Sequence, residues 1–262
     1  MRKLERRYID GLTVIPHGPD PLPFHRTHGI RMTSHIRTQL DEGVLRITLD
    51  RPEKKNALTN DMYRALGEAL QRAEADDAIR VVLFEAEGDA FTAGNDLGDF
   101  AAVAAGKLAR EDMQAFRFLH ALARAEKPYV AAVQGLAVGV GTTMLLHCDL
   151  VYVAEDAKLT VPFVNLALVP EAASSWLLPA RIGHVRAFAM FALGEAVDGK
   201  TAAAIGIANE ALPKDQVRAK ALASAKALAS RPIGALRETK KLMRDAEAIQ
   251  ARMAREGEIF GA

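Results

Sequence analysis

The chain has 262 residues, half of them hydrophobic, with 34 Lys and Arg against 33 Asp and Glu and a formal net charge of +1. This is enough apolar material for one large α/β domain, or for a core domain with a helical appendage, and the charge balance argues against a nucleic-acid-binding surface. The one cysteine, Cys148, excludes an internal disulfide and a multi-cysteine metal site and fits a cytoplasmic setting.

Residues 1–34 read as a proline-rich arm. Pro16, Pro19, Pro21 and Pro23 fall among His17, His25 and His28, and proline at this density blocks helix and central strand. The histidines lack a regular ligand spacing, so the arm reads as solvated rather than metal-binding. The charged residues 1–7 are followed by no apolar segment of the kind a secretory signal carries. No run reaches the about 18 apolar residues of a membrane span.

Ordered structure is expected from His35. The runs 35–40 and 44–49 alternate apolar and polar residues around Asp41-Glu42-Gly43 and predict a β-hairpin. Thr59 or Asn60 can cap a helix over 60–75, whose apolar face is Met62, Leu66, Ala69, Leu70 and Ala73. The nearly all-apolar run 81–86 predicts a strand buried on both faces. A helix is expected over 108–126, ended by Lys127-Pro128. A strand over 129–133, a glycine-rich turn over 135–141, a short buried helix over 141–148 and a strand over 150–153 repeat the pattern. Strands interleaved with helices in this way imply stacked β-β-α units. From Gly183 onward helices are expected over 184–193, 201–206, 213–230, 232–246 and 247–258. The chain is thereby divided into the arm 1–34, a core 35–195 and a helical region 196–262.

Two turns can aim a main-chain amide into a cavity: Phe91-Thr92-Ala93-Gly94-Asn95-Asp96-Leu97 and Gly135-Leu136-Ala137-Val138-Gly139-Val140-Gly141. Two such donors converging on one carbonyl oxygen would form an oxyanion hole. Taken alone, Gly94-Asn95-Asp96 favours an ordinary turn with Asp96 capping a helix. Gly139 and Gly141 place a helix start where negative charge is favoured, although close strand–helix packing also calls for glycine. Glu171, after Pro170, reads either as a first-turn acid complementing a helix dipole or as a general base. In the second case the apolar runs 166–169 and 176–178 would raise its pKa. His147 and Cys148 are expected in the core, Asp149 on local backbone, and Lys240-Lys241 on a solvated helix face. Ser174-Ser175 lacks the G-x-S-x-G elbow of a serine nucleophile.

In order and spacing these segments resemble the enoyl-CoA hydratase/isomerase, or crotonase, family over about residues 35–258. Residues 51–58, Arg-Pro-Glu-Lys-Lys-Asn-Ala-Leu, are similar to its CoA-holding segment, residues 89–97 to its first oxyanion segment, and residues 133–141 with 148–152 to its second. The resemblance implies an α/β spiral of β-β-α turns with a helical C-terminal trimerisation region, and an acyl-CoA thioester as partner in a homotrimer or dimer of trimers. No cofactor is implied beyond the substrate's CoA moiety. The amides of Asn95 and Val140 would hold the thioester oxygen. Ala57, Leu58, Ala93, Asp96, Leu97 and Gly139 would line the CoA path. The two glutamates of the family's hydratases fall on Thr143 and Phe163, so both carboxylates are missing. Glu171 instead matches the single acid of the Δ3,Δ2-enoyl-CoA isomerase branch. The resemblance therefore implies an isomerase, with a hydratase that uses Glu171 as its only acid–base group, or a non-catalytic binding protein, as the alternatives. Phe163, Trp176 and Leu97 are the expected walls.

Overall fold

The computed structural model describes residues 28–31, 35–99 and 112–260. The predicted hairpin is present: β2 (Ile36–Asp41) faces β3 (Val44–Leu49) in full antiparallel register from Ile36↔Leu49 to Asp41↔Val44. The turn is Glu42-Gly43, both at positive φ (48° and 78°), the geometry that matches the twist of the flanking strands. β3 then pairs in parallel with β4 (Val81–Ala86), β4 with β6 (Tyr129–Val133), and β6 with β8 (Leu150–Ala154). Parallel pairing buries both faces, and every residue of β4 and β6 is buried. β11 (Glu210–Leu212) closes the sheet beside β8. A second sheet runs β10 (Val197–Asp198), β9 (Lys158–Thr160), β7 (Leu136–Val138) and β5 (Ala90–Thr92).

The first unit, β2 and β3 followed by a helix, keeps both strands in the large sheet. The units that begin at β4 and β6 each send one strand to the large sheet, the next to the small sheet, and then a helix, the β-β-α pattern expected from the sequence. Helix α1 (Asn60–Ala75) starts at Thr59, whose hydroxyl accepts from the Met62 amide at 3.3 Å, and it buries the predicted face. It packs against α2 (Gln114–Ala123). α3 (Val140–Thr143) continues as a 3₁₀ turn, Met144–His147. After α4 (Ser174–Ile182), α5 (His184–Phe188) and α6 (Gly199–Ala204) come α7 (Lys214–Ala229), α8 (Ile233–Met243) and α9 (Ala246–Phe260). α7 lies on β4, β6 and β8, and its buried side is Val217, Ala221, Ala225 and Ala229.

The structure corrects several expectations. His28–Arg31 is not irregular arm but β1, an antiparallel edge strand on β2 with Arg31 opposite Arg37. Four residues without proline suffice for an edge pairing. The prolines of the arm, with His17 and His25, lie outside the described residues. The helix expected over 108–126 is shorter. Met113 is extended, and Asn60 Oδ1 accepts from the Gln114 amide at 2.7 Å, so the cap comes from another element. Residues 100–111 lie outside the described residues.

Asp149 does not bond locally. Its carboxylate accepts from the Tyr129 amide at 2.7 Å, twenty residues away, and pairs with Lys240 Nζ at 2.8 Å. Lys240 is accordingly not solvated: it is 7% exposed, donates to the Lys127 carbonyl at 2.8 Å and sits 4.7 Å from the Tyr129 ring centre. Burial lowers its pKa, and Asp149 opposes that shift. Only Lys241 stays on the open face. Removing the ammonium leaves the Asp149 charge without its cation and the Lys127 carbonyl without its donor, so Lys240→Ala is expected to destabilise the fold by about 2–3 kcal/mol. Urea unfolding of the two proteins measures this.

Candidate active site

The first of the two glycine turns is held by the loop before α1. Asn56, fully buried, accepts from the Arg51 amide at 2.8 Å and donates to the carbonyls of Glu87 and Ala90. Leu58 donates its amide to the Gly94 carbonyl at 2.8 Å and accepts from the Asp96 amide at 3.0 Å. The two flanking bonds leave the Asn95 amide pointing elsewhere. Gly94 has φ +87°, and a Cβ there would lie 2.9 Å from the Val138 carbonyl oxygen. Only glycine lets this turn close on β7, and that approach brings the first turn against the second.

In the second turn Gly139 has φ 55° and ψ −116° and donates its amide to Thr160 O at 2.9 Å. Its carbonyl accepts from the amides of Thr142 and Thr143, both at 2.9 Å. Val140 is the first residue of α3, where a helix leaves its amides unpaired. Among the described residues, neither the Asn95 nor the Val140 amide donates to a protein acceptor.

Ala57, Ala93, Asn95, Asp96, Leu97, Gly139, Val140 and Glu171 line one cleft of about 880 Å³. Leu58 does not. It is 1% exposed and acts through its backbone, anchoring the Asn95 turn. Of the expected walls, Phe163 and Leu97 line the cleft and Trp176 does not; Trp176 lies on α4 and is 39% exposed. Asp96 is tied to Arg51 at 2.6 Å, and that bond holds its carboxyl below the usual range. Beneath Glu171 lies a smaller cavity of about 50 Å³, walled by Ala115, Leu119 and His120 of α2 and by Met253 and Glu256 of α9. Asn95 and Glu171 line both spaces.

Glu171 is not in the first turn of a helix. Ala172 and Ala173 follow it in the left-handed conformation, and α4 begins only at Ser174. Apolar surroundings desolvate its carboxyl and push its pKa up to about 7. The Thr143 hydroxyl, 3.3 Å away, opposes the shift by donating to Oε1, and the charge of Glu256 adds to it. Leu168 supplies part of the expected apolar surface. Leu119 and Met253 supply the part the sequence reading missed.

Two polar neighbours, Tyr63 and Glu256, were also missed, and a third, His147, was read as core alone. Buried Tyr63 donates its hydroxyl to Asn95 Oδ1, and burial with the nearby Glu171 keeps it protonated. His147, in the core as expected, bonds through Nε2 to the Ala172 carbonyl at 2.8 Å, and Arg244 donates to its Nδ1. Burial pushes the His147 pKa down to about 3, so the neutral ring donates from Nε2. Glu256 accepts from the amides of Ala173 and Ser175. A sequence signal for Glu256 existed: with Ile249 and Met253 it falls on the buried stripe of α9 at i, i+4 and i+7.

A β-β-α spiral that opens such a cleft at the start of a short buried helix defines a crotonase-type enzyme. The chain belongs to the enoyl-CoA hydratase/isomerase family, whose model matches residues 39–259. It is 33% identical over 220 residues to the 1,2-epoxyphenylacetyl-CoA isomerase of Escherichia coli, covering 82% of this chain and 84% of that one. It is 33% identical over 222 residues to enoyl-CoA delta isomerase 2 of Rattus norvegicus, covering 84% of this chain but 55% of the rat protein. The crystal structure of an enoyl-CoA hydratase/isomerase from Pseudoalteromonas atlantica T6c superposes with a TM-score of 0.82 at 41% identity, over 87% of this chain and 90% of that one. Relatives named as hydratases match as well. Among the described residues no helix is long and apolar enough to cross a membrane.

Proposed function

We propose that the protein shifts a double bond in an acyl-CoA thioester, converting a 3-enoyl-CoA to the 2-enoyl-CoA. The observation that carries this reading is Glu171, a carboxylate of raised pKa in an apolar wall of the cleft that also holds the Asn95 and Val140 amides. A second base is missing from the positions where hydratases of the family carry one: Thr143 and Phe163 stand there. Asp96, the other cleft carboxylate, is occupied by Arg51.

In the proposed mechanism the thioester oxygen accepts from the two amides. Ionised Glu171 takes a proton from C2, and the C2–H electron pair delocalises into the carbonyl and the C3–C4 double bond. The resulting dienolate carries its charge on the thioester oxygen, where preorganised amides stabilise it. Glu171, now protonated, returns the proton to C4, leaving the double bond between C2 and C3. One carboxylate suffices because the proton lost and the proton gained are the same. Phe163, packed on Phe191 with ring centres 6.2 Å apart, and Leu168 keep that proton from exchanging with water. Tyr63 and Thr143 hold the surroundings of the base rather than transferring protons.

The deciding experiment supplies purified protein with a 3-enoyl-CoA and a 2-enoyl-CoA, and follows conjugation and hydration separately. Isomerisation with little hydration is expected. Hydration as the main reaction would favour a hydratase with Glu171 as its only acid–base group. Neither reaction with any acyl-CoA tested would favour a binding protein.

A pH dependence follows from the same residue. Proton abstraction needs the ionised form, so kcat/KM should rise tenfold per pH unit on the acid side and level off above about pH 7. Asp96, held low by Arg51, stays ionised through that range and adds no second limb. A profile that is flat from about pH 5.5 to 8.5 would exclude Glu171 as the base.

A further inference from the structure

We propose that Glu256 is a positioning residue for Glu171: its carboxylate bridges the amides of Ala173 and Ser175 and fixes the turn from which the Glu171 side chain enters the cleft. The inference rests on the reading of Glu171 as the acid–base group and adds a residue from the far end of the chain.

The turn needs holding from outside. Ala172 and Ala173 have φ of 58° and 55°, a conformation that side chains with a Cβ adopt rarely. The start of α4 has no local cap: Ala173 stands at the capping position, and the buried Ser174 hydroxyl finds no hydrogen-bond partner. Glu256 replaces that cap from α9, with Oε2 accepting from Ala173 at 2.7 Å and Oε1 from Ser175 at 3.0 Å. His147 secures the other side of the turn through the Ala172 carbonyl at 2.8 Å. The amides are therefore pinned by one buried side chain and the carbonyl by another.

An ordinary helix cap could be placed anywhere, but this one is placed in the site. Glu256 lines the same small cavity as Glu171, is 6% exposed, and its negative charge strengthens the grip of Glu171 on a proton. The groups that face the pair are Tyr63 from α1, Thr143 from α3, His120 from α2 and Arg252 from α9 itself. Burial raises the Glu256 pKa, and the hydrogen bonds from Ser175 and Ala173, with the Arg252 charge last, oppose that shift.

The test uses the full chain and two variants, Glu256→Gln and Glu256→Ala. Carboxyl-labelled glutamate in the free protein gives the titration midpoint of Glu171 by carbon-13 NMR, and hydrogen exchange gives the protection of the Ala173 and Ser175 amides. In Glu256→Gln the midpoint is expected to fall from about 7, because the repelling charge is gone. The kcat for 3-enoyl-CoA should drop about tenfold or more with KM nearly unchanged, since small misplacements of a catalytic group are costly. Glu256→Ala should also lose protection at both amides. A midpoint and kcat unchanged in Glu256→Gln overturn the proposal. So does an activity loss that only follows the loss of folded protein, with the midpoint in place. If wild-type protein does not isomerise a 3-enoyl-CoA, the reaction assigned above fails, and the NMR and exchange measurements alone still decide whether Glu256 positions Glu171.

Discussion

Glu171→Gln is expected to lower kcat for the double-bond shift by about 10²–10⁴-fold and to leave acyl-CoA binding little changed. The amide keeps the shape and one acceptor for the Thr143 hydroxyl, so what is lost is the proton carrier. Binding is expected to survive because the residues along the cleft are untouched. The same variant should be more stable than wild type, and the sign depends on pH. The carboxyl is raised from an ordinary value near 4.5 to about 7 in the folded protein, so folding disfavours its ionised form. Below pH 4.5 the group is protonated in both states and costs nothing. As pH rises through the window from 4.5 to 7 the cost appears, and above 7 it stays constant at on the order of 3 kcal/mol. Glutamine removes it. Thermal melts at pH 8 should therefore show a higher Tm for the variant, and melts at pH 4 no gain. An inactive variant with raised stability is hard to explain by misfolding. It is the pattern left by a group held in an unfavourable state for its chemistry.

How much of this could be read in the sequence depends on how local the cause is. The hairpin, α1, β4 and β6 were legible because an alternating, helical or nearly all-apolar run of five or more residues, or a cap such as Thr59, sits inside each segment. The short strands β5, β7, β9, β10 and β11 have two or three residues, too few to show a period. They exist because a neighbouring strand is already in place. The amide-bearing turns were legible because Gly94 and Gly139 leave a direct mark where the backbone must turn or come close. Glu171 was legible as an acid among apolar residues. Its setting was not, since the desolvating Leu119 and Met253 and the capping Glu256 arrive from α2 and α9. Lys240 shows the same limit. In the sequence it is one of two adjacent lysines on a helix, and only the fold brings Asp149 to it.

Val140→Pro is the second decisive substitution, and it asks about the backbone directly. Proline deletes the amide hydrogen, which no side-chain replacement can do. The position tolerates it for three reasons. Val140 is the first residue of α3, where proline is favoured and no intrahelical bond is lost. Its amide donates to no acceptor among the described residues. The preceding residue is Gly139, at positive φ, which lacks the Cβ that a following proline ring would crowd. Val140 is 2% exposed, so some packing is lost, and a modest fall in Tm is expected. The larger effect should be on the reaction. Removing one donor from an oxyanion site costs about 10²–10³-fold in kcat. The loss should appear in kcat more than in KM, because the bond to that amide is stronger when the thioester oxygen carries the dienolate charge than when it is a neutral carbonyl. A Val140→Ala control keeps the amide and loses similar packing, so it should retain most of the activity. If proline and alanine reduce kcat equally, the Val140 amide does not hold the oxyanion. The charge would then rest on Asn95 alone, and the convergence of the two glycine turns would be a matter of packing.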